Sequence, residues 1–92
     1  MRPVLVLSNN EFNSSGKDLI VCAITTNVST SKYGVTINQN DFESGEIRHE
    51  SSIKVENILK LHKSLVIKTI GAVREKAFRR VYSVLLELFG SK

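Results

Sequence analysis

Five side chains in this 92-residue chain stand where their type and spacing suit chemistry: Arg2, Thr25, Ser51, Lys54 and Glu56. A guanidinium stays ionised and presents paired donors, so Arg2 suits the gripping of a phosphate. The bland alternative is a solvated arginine near a chain end. Thr25 closes the apolar run Leu19–Ile24, and its hydroxyl can donate to a phosphate oxygen. It reads equally as a β-branched residue ending a strand. Lys54 and Glu56 lie two apart in an alternating run, so they share one face of a strand. A cation and a carboxylate so placed serve either acid–base chemistry or an ordinary surface charge pair. Ser51 opens the same run and offers a hydroxyl for a minor substrate-binding or structural role.

Other chemistries find little support. Cys22 is the single cysteine, which rules out an internal disulfide, and its apolar neighbours make it a small buried hydrophobe. His49 and His62 are far apart, with no flanking Cys or His, so no metal site or other cofactor is expected. The formal net charge of +4 permits a polyanionic partner without requiring one. No stretch is long and apolar enough to span a membrane, and Pro3 with Asn9-Asn10-Glu11 breaks any secretion-signal layout. The expectation is a cytoplasmic protein, in which Asn13-Ser14-Ser15 and Asn27-Val28-Ser29 are chance matches to the glycosylation pattern.

The elements that must position these groups read as strands followed by a helix. Pro3–Ser8 is apolar on both faces, as in a strand buried on two sides. Asn9–Lys17 is turn-rich and reads as a loop. A second, central strand is expected over 18–25, a loop over 26–33, and a brief strand over 34–38. Asn40–Gly45 suggests a single helical turn or a loop. Ser51–Glu56 alternates, with Ile53 and Val55 on one side and Ser52, Lys54 and Glu56 on the other. Residues 57–63 suggest a turn, and Leu65–Ile70 the last strand. Ala77, Phe78, Val81, Tyr82, Leu85, Leu88 and Phe89 then recur at helical spacing, with Gly90 as a stop. That stripe reads as core or dimer contact. Arg74, Lys76, Arg79 and Arg80 read as its solvated face. The fold class is α+β, mainly β: a small partial barrel of about five strands with a C-terminal helix, as one domain over 1–92.

The order of these segments resembles a known family. Arg2-Pro3-Val4-Leu5-Val6-Leu7-Ser8 is similar to the RPVLVLS segment of the MazF/PemK toxins, with Asn9 and Phe12-Asn13 in fitting places. Ile20–Thr26 resembles the second block, an apolar strand ending in Thr. Ser51–Ile58 resembles the third block: Ser, apolar residues, a basic residue, then an acidic one. Ile70-Gly71 matches the closing pattern before the final helix. Each motif is weak alone, and their order and spacing carry the resemblance along the whole chain.

What the resemblance implies is an SH3-like barrel assembled as a homodimer. It further implies an mRNA interferase, an endoribonuclease that cuts single-stranded RNA without metal and leaves a 2′,3′-cyclic phosphate and a 5′-hydroxyl. A cognate antitoxin protein would block the site. Arg2 and Thr25 match the family's catalytic pair. Lys54 and Glu56 stand where some relatives have Arg and Asp, with acid–base or RNA-binding roles, and Ser51 matches the serine of its block. Such relatives begin with a strand and a flexible loop before the Arg-Pro pair, whereas Met1 here directly precedes Arg2. Two expectations follow: an open edge along 3–8 that invites pairing with another chain, and an Arg2 poorly held for catalysis. The alternatives are therefore a relative that binds RNA or an antitoxin without cutting, and an interaction protein that shares only the fold.

Overall fold

The computed structural model describes residues 2–28 and 32–90. The strands are β1 (Val4–Val6), β2 (Asp18–Thr25), β3 (Gly34–Ile37), β4 (Phe42–Gly45), β5 (Ser51–His62) and β6 (Gly71–Val73). The helices are α1 (Asn10–Ser15) and α2 (Glu75–Leu88), with 3-10 turns at Gln39–Asp41 and Lys63–Leu65. One antiparallel sheet has the order β1-β2-β5-β3, and β4 pairs with β6 in a second. The expected mainly-β architecture with a C-terminal helix is the one observed.

β2 runs between β1 and β5, and Val21 and Cys22 are both fully buried. Neighbouring residues point to opposite faces, so burial of both explains the unbroken apolar run. β5 is the longest strand because it serves two neighbours. Ser52–Lys54 pair with Ala23–Thr25, and Ser51–Lys54 pair with Gly34–Ile37. The register with β2 then jumps, since Ala23 meets Lys54 whereas Cys22 meets Ile58. Val55, Glu56 and Asn57 form a bulge there, which bends the sheet. Beneath it, Cys22, Val35, Ile37, Ile53 and Val55 form a core sealed by Val81 of α2.

α2 is fastened at its N-terminal end. The Arg80 guanidinium lies 3.1 Å from an Asp41 carboxylate oxygen, and Arg74 Nε donates to the Asn40 carbonyl at 3.0 Å. Asp41 also caps its own 3-10 turn by accepting from the Asn38 N–H. Two of the helix cations therefore reach across to the turn before β4, while Arg79 pairs with Glu75 along the helix. The helix ends at Gly90, whose φ of +72° only glycine adopts freely.

Several elements differ from expectation. Residues 10–15 form a short helix instead of a loop. The Asn9 side chain caps it by accepting from the Phe12 N–H, and Asn13 ties it to Ser8. Residues 58–62 continue β5 instead of turning, because β2 pairs with them as far as His62. Residues 66–70 are irregular, and the last strand is Gly71–Val73. Phe42–Gly45 is a strand, which makes six among the described residues. The β4–β6 pairing depends on glycine: a Cβ on Gly71 would lie 2.5 Å from the Ser44 carbonyl oxygen, and Gly45 has φ +84°. β1 is an edge strand, shorter and less buried than the run 3–8 suggests. Its apolar residues face a groove instead of a second neighbour. Of the expected loop 26–33, residues 29–31 lie outside the described residues.

Candidate active site

Two hydrogen bonds fix the end of the β1–β2 ladder. Ile24 N–H donates to the Pro3 carbonyl at 3.2 Å, and Leu7 N–H to the Ile20 carbonyl at 2.8 Å. Pro3, Leu5 and Leu7 are therefore the residues bonded to β2, and the register runs Val4 with Ala23, Leu5 with Cys22 and Val6 with Val21. One step beyond Pro3, Arg2 stands level with Thr25. This is a non-hydrogen-bonded position, where facing side chains approach most closely.

Thr25 is partly buried at the end of β2, and its Oγ1 accepts a hydrogen bond from the Asn27 N–H at 3.1 Å. That bond occupies a lone pair and leaves the hydroxyl proton available to donate. Across the sheet Thr25 faces Ser52, and Ser52 faces Thr36. A row of three hydroxyl residues thus leads away from Arg2. The next row on the same face is Ala23, Lys54 and Gly34. Small residues on both sides leave room for the Lys54 stem. Lys54 is the diagonal neighbour of Thr25, about 7–8 Å away between backbones, within reach of a long side chain.

Glu56 sits in the bulge beyond Lys54 and is exposed, and its charge is felt at the buried Cys22 thiol. Ser51 takes the opposite face from Ser52 and Lys54. It is buried, and its hydroxyl donates to the His49 carbonyl at 3.0 Å. Thr25 and Lys54 therefore share one face with Glu56 beside them, Arg2 stands level with Thr25 past the end of β1, and Ser51, on the other face, lines the same groove as Arg2. Ser52 and Thr36 are the additional hydroxyls on the Thr25 face. The alternation of Ser52-Ile53-Lys54 was the signal for Ser52, because residues two apart share a face. No sequence signal marked Thr36, which reaches the row through the β3–β5 register alone. The arrangement offers a guanidinium, an ammonium and hydroxyl donors, a set that suits a phosphate. Among the described residues no three His, Cys, Asp or Glu side chains cluster as metal ligands.

The sequence profile described as "PemK-like, MazF-like toxin of type II toxin-antitoxin system" matches residues 1–89. The chain belongs to that family. Comparison of this MazF-like chain with the curated proteins found no match. Its fold superposes on that of the Mycobacterium tuberculosis toxin MazF-mt6 with a TM-score of 0.83 and 18% identity, over 96% of this chain and 85% of that one. An endoribonuclease in complex with its cognate antitoxin, from a mycobacterial species, gives 0.84 at 22% identity, over 99% and 82%. A MazE-MazF structure from Deinococcus radiodurans gives 0.78 at 20%, over 99% and 83%. Among the described residues of this MazF-like chain no helix is long and apolar enough to cross a membrane.

Proposed function

We propose that this MazF-like chain is a toxin-type endoribonuclease that cuts single-stranded RNA without metal. In this reading the substrate's 2′-hydroxyl attacks the adjacent phosphorus. The 5′-oxygen departs, leaving a 2′,3′-cyclic phosphate and a 5′-hydroxyl. Each step needs a proton moved and negative charge stabilised on a crowded phosphorane. Arg2 neutralises that charge, and the Thr25 hydroxyl holds a non-bridging oxygen. Glu56 and Lys54 serve as base and acid or as RNA contacts, and Ser51 positions the start of β5. The cross-strand placement of Arg2 beside Thr25 is the observation that carries this assignment.

Two partners belong to the same reading. A cognate antitoxin is supported by the antitoxin-bound endoribonuclease that shares the fold. A homodimer is supported by Tyr82, Leu86 and Phe89, a stripe on α2 that stays 56%, 59% and 75% exposed. A relative that binds RNA without cutting it is the second reading, favoured by one observation: Arg2 is exposed at the open end of an edge strand.

The deciding experiment incubates the purified chain with a mixed-sequence RNA in EDTA, with the matching DNA as control. The expected result is RNA-only cleavage with cyclic-phosphate ends, lost in Arg2→Ala and Thr25→Ala. Binding of RNA without cleavage selects the second reading.

A further inference from the structure

The ladder fixes where the Ser52 hydroxyl lies. Ile24 N–H points toward β1, where it meets the Pro3 carbonyl, so Thr25 turns its own backbone groups to β5. Thr25 and Ser52 are therefore a hydrogen-bonded pair, with Cα atoms about 5.5 Å apart. Val55 N–H points the other way, to the Tyr33 carbonyl on the β3 side. By alternation Ser52 spends its backbone groups on β2, and its pairing with Thr36 is the closer, non-hydrogen-bonded kind. All three side chains rise from one face of the sheet.

Ser52 differs from its neighbours in that row. It is 2% exposed, whereas Thr25 is partly buried and Thr36 is exposed. It stands mid-row, on a strand with a neighbour on each side. Facing Ser and Thr side chains commonly bond to one another across such pairs. Here the Ser52 hydroxyl forms no hydrogen bond with the described residues. Among them no enclosed side-chain nitrogen or oxygen lacks a partner, so the little surface that Ser52 keeps includes its Oγ. Ser51, next along the strand, by contrast donates its hydroxyl to the His49 carbonyl. A hydroxyl so buried, with its proton unspent and its oxygen opening onto the Thr25 face, is arranged for an acceptor from outside the chain.

The neighbours indicate which acceptor. In the proposed reaction Thr25 holds one non-bridging oxygen of the reacting phosphate, and the phosphorane has a second such oxygen that also gains negative charge. The two hydroxyls sit on adjacent strands, and each O–H···O bond spans about 2.7–2.8 Å, so together they bracket one phosphate. Lys54, two residues along β5 on the same face, adds a cation beside them. Crowding by the flanking strands limits the rotation of Ser52, so its donor is aimed before substrate arrives, the condition under which such donors stabilise developing charge. Resting on the endoribonuclease reading, we propose that Ser52 is a second catalytic hydroxyl, donating to the non-bridging oxygen that Thr25 does not hold. Its proton stays on Ser52 throughout, so this contact breaks no bond and transfers no proton.

The test uses the full chain in EDTA and an RNA oligonucleotide with one phosphorothioate at the mapped cleavage position, as separate Rp and Sp diastereomers. Sulfur is a weak acceptor, so each diastereomer weakens the hydrogen bond to one non-bridging oxygen, and EDTA keeps metal coordination out of the comparison. The parent is expected to cut both diastereomers more slowly than the all-oxygen RNA. Ser52→Ala is expected to lower kcat on the all-oxygen RNA about 10²-fold at little-changed KM. It is also expected to lose the sulfur effect of one diastereomer and keep the other, and Thr25→Val to lose the opposite one. A side chain that only fills space would leave both sulfur effects in place. The proposal is overturned if Ser52→Ala keeps both effects. It is overturned also if the parent shows an effect with one diastereomer alone, a result that needs no variant to fold. In either case the all-oxygen RNA is still cut and the endoribonuclease reading stands. Failure of the parent to cut that RNA overturns the two together.

Discussion

Arg2 stands level with Thr25 at the end of the β1–β2 ladder, one residue past the bond from Ile24 N–H to the Pro3 carbonyl. A cation and a hydroxyl far apart in sequence are thereby brought to the same level of the sheet. Their joint action on a phosphate is the basis of the first two expectations.

Replacing Arg2 by Ala is expected to lower RNA cleavage about 10²–10³-fold, the usual cost of one charge-stabilising donor. Lys at the same position should recover only part of it, because an ammonium lacks the paired donors. Arg2 is exposed, so thermal melts of both variants should match the parent. A fluorogenic RNA substrate measures the rates. Full activity of the Ala variant would remove Arg2 from the site.

For Thr25, Ser keeps the hydroxyl and Val keeps the shape. The Ser variant should retain most activity, and the Val variant should fall toward the level of the Arg2→Ala variant. Val also removes the acceptor for the Asn27 N–H, with an expected loss of about 1 kcal/mol in denaturant unfolding. Equal rates for the two variants would mean that the hydroxyl takes no part.

The fastening of α2 has a pH signature. The Asp41 carboxyl lies below its ordinary value of 3.8, first because it accepts the Asn38 N–H and then through Arg80. A carboxyl depressed in the folded state adds stability that is fully present above its unfolded value and lost as pH falls through its folded one. Melting temperature should therefore drop below about pH 4, and Asp41→Asn should flatten that part of the profile. Asp41→Ala should cost about 1–2 kcal/mol at neutral pH, because the cap and the Arg80 contact go together.

Burial, helped by the negative charge of Glu56, pushes the Cys22 thiol up to about 12. A thiol with so little thiolate is inert at neutral pH. Iodoacetamide at pH 8 should leave the folded chain unlabelled and label it fully in urea. Rapid labelling of the native protein would mean that β2 opens readily.

Gly45 and Gly71 lie where β4 and β6 touch backbone to backbone. Gly71→Ala should destabilise by about 1–3 kcal/mol, as for other overpacked sites, read as a lower urea midpoint. Gly45→Ala adds a left-handed backbone to a contact with the Ile70 carbonyl and should be no milder.

Much of this was legible along the chain. The apolar run of β2, the alternation of Ser52–Val55 and the helical stripe from Ala77 to Phe89 are local patterns, each set by which faces must be buried. Arg2, Thr25, Lys54, Glu56 and Ser51 could be singled out by type and by family resemblance. Missed elements were those made by distant partners. Residues 58–62 look like a turn until β2 pairs with them, and Phe42–Gly45 looks like a loop until Gly71–Val73 lies alongside. α1 is too short for a periodic signal and depends on the Asn9 cap and the Asn13–Ser8 tie.

Amino-acid order alone established the class of fold and the chemical types at hand, because periodicity and side-chain identity are local properties. Tertiary structure decided which of them meet. Register put Arg2 beside Thr25 and Lys54 diagonal to it, while the pleat turned Ser51 to the other face. It also left β1 and β6, strands far apart along the chain, lining one groove. Such relations arise only when the backbone closes its hydrogen bonds across the sheet, and no local pattern encodes them.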